Sequence, residues 1–429
     1  MTTQKTKPVQ NAALNKEAAV GDTNTDVPSA HVMPTHCPYR QASLLQQALS
    51  PDKMRVAFFL GAGCSIPLIP DVAGLTNKIV QSLEASKDFA SPFKAIKARL
   101  SLPENTSATI EDILTLVRTL IDVAGPNGVD GVAGDVLAKL DQEICFITTQ
   151  LVSVRLPNND TAYHKVASWI GAIDRRAPVE LFTTNYDLLI EQALEECRVP
   201  FFDGFVGSHR PFFDLKSTDL DHDFLPSRWA RLWKIHGSIN WWRDSSGNVE
   251  RREKVQDGEY RQMIYPSHLK YDQSRRMPYL AMLDRLRRFL TSGQAVLVTC
   301  GYSFSDQHLN EVIMDGLTSN PNAVCFGLYY KDRGTLPPAV RQRIRQHPNF
   351  RLLALDGAVF GTLERDWHAD PKPEHPLHAI AARDGEVKRE TTSSQANCKF
   401  LLGDFSDLGQ FLAWQLAQQD SDSGPDHAK

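Results

Sequence analysis

The chain has 429 residues, of which 42% are hydrophobic and 23% are charged, a composition typical of a globular protein. Its formal net charge of −4 provides no general basic field that would attract nucleic acid. No apolar run approaches the roughly 18–20 residues of a membrane span, and the polar N-terminal stretch has no apolar signal core, so we expect a cytoplasmic protein without membrane contact.

The composition of the chain changes along its length and predicts four regions. Residues 1–37 are polar and lack periodicity, which predicts a disordered N-terminal tail. Residues 38–360 form the predicted main domain, within which residues 91–178 carry helical spacing and form a helical insertion. Residues 361–429 form a C-terminal extension that ends in an apolar segment, which we expect to dock on the domain or on a neighbouring copy.

Short apolar segments, each ended by a polar turn, predict the strands of this main domain. They are MRVAFFL (54–60), VELFTT (179–184), RLWKI (231–235), AVLVTC (295–300), AVCFGLYY (323–330) and FRLLAL (350–355). Helical patterns alternate with them, for example AGLTNKIVQSLEA and DLLIEQALEE. This alternation predicts an α/β fold with a Rossmann-like parallel sheet covered on both faces.

Four of these strands lead into polar turns. The turns are Gly61-Ala62-Gly63-Cys64-Ser65, Thr184-Asn185-Tyr186-Asp187, His236-Gly237-Ser238 and Gly301-Tyr302-Ser303. The carboxyl ends of parallel strands share one edge of the sheet, where ligands bind, so we expect the four turns to meet at one site.

The first turn suits a phosphate, because glycines let backbone N–H groups approach a pyrophosphate and a following helix N-terminus adds a favourable dipole. Ser65 offers one further hydrogen bond. The alternative is a plain strand-to-helix turn, and a short glycine motif does not decide between the two.

The other turns supply groups for catalysis, each with a structural alternative. Asn185 can hold a sugar hydroxyl or a water, and Asp187 can accept from an amide ligand or cap the next helix. His236 can act as a general base near neutral pH or be a structural histidine. Ser303 and its glycine can contact an adenosine, while Asp306 is predicted to cap the helix that follows.

Taken together, the four turns in this order, with Ile69-Pro70 behind the first, resemble the sirtuin superfamily over residues 50–360. They are most similar to bacterial sirtuin-like NAD-hydrolysing proteins of antiphage defence. The layout of the chain is most like that of the sirtuin-like partner of a HerA-type hexameric ATPase.

The resemblance implies a site for NAD+, which is the substrate. Asn185 and His236 would be catalytic, with His236 the base and Asn185 facing the nicotinamide ribose. The implied NAD-binding residues are Gly61, Ala62, Gly63, Ser65, Pro70, Thr184, Asp187, Gly301 and Ser303. The implied partners are further copies of the chain and a HerA-type ATPase, with no metal.

The sequence departs from protein-deacylating sirtuins, which carry a zinc ribbon of paired cysteines after the His-Gly motif. The stretch from Ser238 to His268 contains no cysteine, and none of the seven cysteines of the chain forms a Cys-x-x-Cys pair. We therefore expect an NAD+ glycohydrolase that uses water as the acceptor. The alternatives are an NAD-dependent protein deacylase and a non-enzymatic nucleotide-binding sensor or scaffold.

One basic segment, DRLRRFL (284–290), raises the question of nucleic-acid contact. Its helical spacing predicts a solvated helix face in preference to a nucleic-acid surface. The tryptophans at 233, 241 and 242 are predicted to be core and interface residues.

Overall fold

The computed structural model describes residues 36–51, 53–66, 68–100, 108–124, 128–129, 131–172, 175–219, 225–253, 261–264, 278–368, 382–384 and 398–422. The predicted N-terminal tail lies outside these residues except for His36 and Cys37, and both of these are buried.

A nine-stranded sheet organises the protein. In spatial order its strands are β3 (Phe201–Phe202), β6 (Ala230–Lys234), β2 (Glu180–Thr183), β1 (Arg55–Leu60), β10 (Ala295–Cys300), β11 (Ala323–Tyr329), β12 (Phe350–Ala354), β13 (Gly357–Phe360) and β14 (Leu363–Asp366). The first seven pair in parallel and the last two pair antiparallel. The predicted α/β fold with a parallel sheet is confirmed.

Helices connect the strands and cover both faces of the sheet. They are α1 (Pro38–Ala48), α2 (Val72–Ala85), α3 (Ala90–Lys97), α4 (Ile110–Ala124), α5 (Gly134–Val152), α6 (Ala162–Ala172), α7 (Leu189–Glu196), α8 (Leu215–Asp219), α9 (Tyr279–Thr291), α10 (Gln307–Ser319), α11 (Pro338–Ile344) and α12 (Phe405–Asp422).

Strand β1 shows why the sheet needs a cover on each face. Its side chains alternate, so that Val56, Phe58 and Leu60 join one hydrophobic core while Ala57 and Phe59 join the other. The first core contains residues of α1 to α7 and α12, and the second contains residues of α9, α10 and α11. A strand buried on both faces therefore reads as an unbroken apolar run in the sequence.

The segment predicted as a helical insertion contains α4, α5 and α6, and α3 starts one residue before it. Thr109 caps the N-terminus of α4, because its hydroxyl accepts from the amide of Asp112 at 3.2 Å while the Asp112 carboxylate accepts from the amide of Thr109 at 2.8 Å. The side chains of Ile110, Leu114 and Val117 form the buried face.

A smaller antiparallel sheet of five strands is formed by segments on both sides of the histidine turn. In spatial order it consists of β4 (Phe205–Val206), β5 (Phe212–Phe213), β8 (Val249–Arg251), β7 (Gly237–Arg243) and β9 (Arg261–Ile264). Trp241 lies on β7 and is buried, as predicted for a core residue.

The basic segment on α9 differs from the expected solvated face at one position. Arg285 is buried and pairs with Glu180 at 3.2 Å, because Glu180 lies inside the sheet and needs a cation. Arg288 stays partly exposed and pairs with Asp284 on the same helix at 2.7 Å.

The described parts of the C-terminal extension, residues 361–368, 382–384 and 398–422, include strands and a helix, and the remainder of the extension lies outside the described residues. Strand β14 completes the main sheet beyond residue 360, and α12 packs on α6 through Phe405, Leu408 and Phe411. Strands β15 (Ala382–Asp384) and β16 (Cys398–Phe400) form a separate pair. None of the helices in the described residues is long and apolar enough to cross a membrane.

Candidate active site

The four polar turns meet at one edge of the main sheet. Strands β10, β1, β2 and β6 are neighbours and run parallel, so their carboxyl ends lie side by side. A cavity of about 610 Å³ opens there, within the range of ~300–1,000 Å³ that small-molecule sites occupy. It is lined by all the predicted site residues except Gly61: Ala62, Gly63, Ser65, Pro70, Thr184, Asn185, Asp187, His236, Gly301 and Ser303.

The first turn packs directly against the fourth. The amide of Gly61 donates to the carbonyl of Cys300, and the amide of Gly63 donates to the carbonyl of Gly301, both at 2.9 Å. A Cβ atom on Gly61 would lie 2.4 Å from the Gly301 oxygen. Both glycines are therefore needed for the approach of two backbone segments, and their amides are already engaged within the protein.

The helix after the first turn does not follow it directly. Ala62–Ser65 form a short 3₁₀ turn, and α2 starts only at Val72. Asp71 caps α2 by accepting from the amide of Gly74 at 2.8 Å. The expectation that a helix N-terminus adjoins the glycines is wrong, because several residues intervene and a carboxylate already occupies that terminus.

Ser65 is the centre of a buried hydrogen-bond network. Its hydroxyl donates to Oδ2 of Asp187 at 2.7 Å and accepts from Nδ2 of Asn185 at 3.0 Å. Tyr163 lies 3.0 Å away and must be the donor, since Ser65 has a single proton and gives it to the carboxylate. Burial raises the pKa of Tyr163 well above its ordinary value, which keeps this donor protonated.

Asn185 is held in one orientation by its partners. Its amide nitrogen donates to the carbonyl of Gly61 at 3.2 Å, and a carbonyl can only accept. The NH₂ group must therefore face Gly61 and Ser65, and Oδ1 faces away from them. Oδ1 is buried and has no hydrogen-bond partner among the described residues, although the residue is only 9% exposed. A buried acceptor of this kind requires a ligand or a water.

Asp187 performs the structural role that the sequence left open. Its Oδ1 accepts from the amide of Leu189 at 3.1 Å at the start of α7, and its Oδ2 accepts from Ser65. Lys234 is buried beneath it, where it donates to the backbone carbonyl of Asp187 and to Glu191. Burial raises the pKa of Glu191, and the neighbouring Lys234 opposes that shift.

His236 lies between β6 and β7 and is 8% exposed. Two backbone hydrogen bonds hold the segment around His236 beside the end of β2 and the second turn. The amide of Ile235 donates to the carbonyl of Thr183 at 2.8 Å, and the amide of Ile239 donates to the carbonyl of Tyr186 at 3.1 Å. Nε2 of the imidazole lies 3.2 Å from Oδ2 of Asp306, although the angle is outside hydrogen-bond geometry. The histidine is therefore fixed at the cavity wall next to a carboxylate.

Cys64 does not supply a nucleophile. Its thiol donates to the carbonyl of Cys300 at 3.2 Å, and burial raises its pKa well above the ordinary value. A thiolate would be needed for attack, and burial disfavours it. Cys64 is therefore a packing residue.

Three residues that contribute to the site were not predicted from the sequence to do so. Tyr163 comes from α6 and Glu111 from α4, both inside the helical insertion, and Asp306 had been predicted only as a helix cap. Each lies far along the chain from the turn that it supports. An apolar or charged residue on a helix face gives no sequence signal for such a contact.

The charge of the cavity is one-sided. Four carboxylates belong to its lining, those of Asp71, Glu111, Asp187 and Asp306, whereas no lysine or arginine lines it among the described residues. A cationic ligand or a cationic transition state is favoured in such surroundings. The described residues also contain no group of three or more His, Cys, Asp or Glu placed to hold a metal ion.

Comparison with known proteins identifies one matching family. Residues 179–353 match the family model described as a SIR2-like domain, so this part of the chain is sirtuin-like. The match contains three of the four turns, and the first turn precedes it. No curated protein matches the chain in sequence.

Three solved structures are similar to the chain at low identity. One is described as a Sir2 homologue–NAD complex, with 15% identity, a TM-score of 0.35 and coverage of 72% of this chain and 87% of that one. A structure on the mechanism and regulation of Sir2 enzymes has 11% identity, a TM-score of 0.29 and coverage of 72% and 97%. One on sirtuin substrate affinity has 15% identity, a TM-score of 0.32 and coverage of 67% and 86%. At sequence identities and TM-scores this low, the roles of residues in these structures are not assigned to residues of this chain.

Proposed function

We propose that this protein is an NAD+ glycohydrolase, which cleaves NAD+ into nicotinamide and ADP-ribose. One observation carries the proposal. Asn185, with a partnerless buried oxygen, and His236 line the same cavity at the carboxyl edge of a parallel sheet. Both residues lie within the range that matches the SIR2-like domain.

The chemistry suits the groups that are present. The bond that breaks joins C1′ of the ribose to the nicotinamide nitrogen, and its electron pair leaves with the ring, which becomes neutral. The ribose then carries positive charge as an oxocarbenium-like species, which the carboxylates of the cavity favour. Water forms the new C–O bond and gives its proton to His236. The reaction needs positioned polar groups and one base, and no thiol or hydroxyl nucleophile.

Asn185 has a distinct task in this scheme. Its Oδ1 is fixed before any ligand arrives, because the NH₂ group of the same amide donates to the carbonyl of Gly61 and to the hydroxyl of Ser65. A rigid acceptor can hold a ribose hydroxyl or the attacking water without losing entropy at the moment of reaction. Ser65 accepts from the NH₂ group of Asn185 and is itself held in place by its hydrogen bond to Asp187.

The dinucleotide would be bound without cationic side chains. The lining residues Ala62, Gly63 and Thr184 lie on the first two turns, and Gly301 and Ser303 lie on the fourth. We assign the first group to the pyrophosphate side and the second to the adenosine side, following the sirtuin resemblance. Ser303 is exposed, which fits a rim contact better than a buried one.

The wider proposal is depletion of NAD+ in antiphage defence by a cytoplasmic oligomer, controlled by assembly with a HerA-type ATPase. Its support is the resemblance of the four turns and of the chain layout, including the apolar C-terminal segment. Direct nucleic-acid contact is not part of it, because Arg285 of the basic segment is buried in an ion pair.

The experiment incubates the purified full chain with NAD+, with and without its ATPase partner, and quantifies nicotinamide and ADP-ribose by mass spectrometry. We expect His236→Ala and Asn185→Ala each to lower turnover at least ~100-fold, the usual contribution of a positioned acid–base group. His308→Ala is the matched control, because this histidine is 43% exposed and does not line the cavity. Equal activity in all four proteins would refute the enzymatic function and leave the binding-only alternative.

A further inference from the structure

We infer that Asp306 is a positioning residue for His236: its carboxylate keeps a proton on Nε2, which leaves Nδ1 as the basic nitrogen. The inference rests on the proposed function for its catalytic consequence, whereas the placement of the proton is a property of the protein alone. The observation behind it is that Oδ2 of Asp306 lies 3.2 Å from Nε2 of His236, a buried nitrogen that no group of the described residues meets in hydrogen-bond geometry.

The carboxylate of Asp306 is held in place from several sides. Its Oδ1 accepts from the amides of His308 at 3.0 Å and Leu309 at 3.1 Å, which caps α10. Its backbone carbonyl accepts from the hydroxyl of Tyr302 at 3.2 Å and from the amide of Asn310 at 3.0 Å. With Oδ1 committed to the cap, Oδ2 is the oxygen that faces the imidazole.

A helix cap alone does not explain this arrangement. Asp71 caps α2 with one oxygen as well, and it is exposed. Asp306 instead is buried against His236, with side-chain exposures of 8% and 9%. Serine, threonine or asparagine caps a helix about as well as aspartate. The helix cap therefore does not explain why a carboxylate is buried beside a buried imidazole.

The pairing decides which ring nitrogen is basic. A neutral imidazole carries one proton, and a carboxylate accepts but cannot donate, so the proton stays on the nitrogen that faces it. The second nitrogen then holds the lone pair that can take a proton from water. Once it does, the imidazolium is stabilised by the negative charge of Asp306, as in other paired histidines.

Asp306→Asn tests the inference with little change in shape. Oδ1 of the asparagine must stay on the two amides of the cap, so its NH₂ group replaces Oδ2 opposite His236. An NH₂ group donates, and the ring must then offer a lone pair at Nε2 and carry its proton on Nδ1. The substitution therefore inverts the tautomer while the cap is kept.

The tautomer is read from the ¹⁵N chemical shifts of the imidazole in the full chain labelled at histidine, with His236→Ala to assign the signal. We expect the Nε2–H form in the wild type and the Nδ1–H form in Asp306→Asn. Asp71→Asn removes the same charge at another cap of the cavity and leaves the tautomer unchanged. Unchanged shifts of His236 in Asp306→Asn would overturn the inference.

Kinetics separates positioning from binding. For Asp306→Asn we expect kcat on NAD+ to fall ~100-fold or more with KM within about threefold, since the base is lost and the cavity is kept. An unaltered kcat would overturn the catalytic role. A wild type that releases no nicotinamide, even with its ATPase partner, would contradict the proposed function, and the ¹⁵N shifts would still decide the inference.

Discussion

Ser65→Ala is the substitution that most directly probes the network beneath the site. Removing the hydroxyl leaves two buried groups without their partner: Oδ2 of Asp187 loses a donor at 2.7 Å, and the hydroxyl of Tyr163 loses an acceptor at 3.0 Å. Asn185 loses one of two acceptors and keeps Gly61. The change removes a single oxygen, so packing is nearly unaltered.

The magnitude follows from these two orphaned groups. Each buried polar group without a partner costs about 1–3 kcal/mol, so we expect Ser65→Ala to lower the free energy of unfolding by about 2–6 kcal/mol. Ser303→Ala is the matched control, because Ser303 is exposed and accepts only a long bond of 3.4 Å from the amide of Ser305. Its effect should stay within about 0.5 kcal/mol.

The assay is chemical denaturation followed by tryptophan fluorescence, with all three proteins measured in the same buffer. Both serines were predicted from the sequence to bind NAD. In the structure, Ser65 is buried within the hydrogen-bond network, whereas Ser303 is exposed at the rim of the cavity. A cost below about 1 kcal/mol for Ser65→Ala, or equal costs for the two variants, would refute this assignment of the network.

Two further predictions concern the first turn and its thiol. Gly61→Ala places a methyl group 2.4 Å from a backbone oxygen and should lower the free energy of unfolding by about 1–3 kcal/mol. Gly334→Ala is the control and should be neutral, because a Cβ atom at that position would have nothing within 4 Å. Similar denaturation midpoints for the two variants would contradict the packing of the first turn against the fourth. Iodoacetamide at pH 8 should modify the half-buried Cys197 first, because burial raises the pKa of Cys64, and peptide mapping that finds Cys64 labelled first in the folded protein would contradict it.

The parallel sheet was predictable because its strands carry a strong local signal. Strand β10 (Ala295–Cys300) is an unbroken apolar run that ends in glycine, and prediction and structure agree on its bounds. Buried strands of this kind need no alternation, and glycine marks their ends. The meeting of the four turns at one edge of the sheet followed from the same reasoning.

The small antiparallel sheet was not predictable in the same way. Its strands β4 (Phe205–Val206) and β5 (Phe212–Phe213) have only two residues each, which is too short for any periodicity. Their pairing depends on contacts between segments that are separated by up to dozens of residues.

The roles of Gly61 and Asp306 show where local reasoning ends. Glycine in a turn after a strand indicates close approach, and the sequence suggested a phosphate, whereas the approaching group is the backbone at Gly301, 240 positions away. Asp306 was correctly predicted as a cap from its position before α10 (Gln307–Ser319). Its second contact, with His236, arises only when β6 and β10 are placed in one sheet.

The central claim is that water, and not an acyl group, accepts the ribose of NAD+. The most direct measurement incubates the protein with NAD+ and the proposed HerA-type ATPase partner, with and without an acetyl-lysine peptide, and quantifies nicotinamide, ADP-ribose and acetylated ADP-ribose. The account predicts equal amounts of nicotinamide and ADP-ribose in both mixtures, and an intact peptide. Nicotinamide release that depends on the peptide, together with acetylated ADP-ribose, would contradict it.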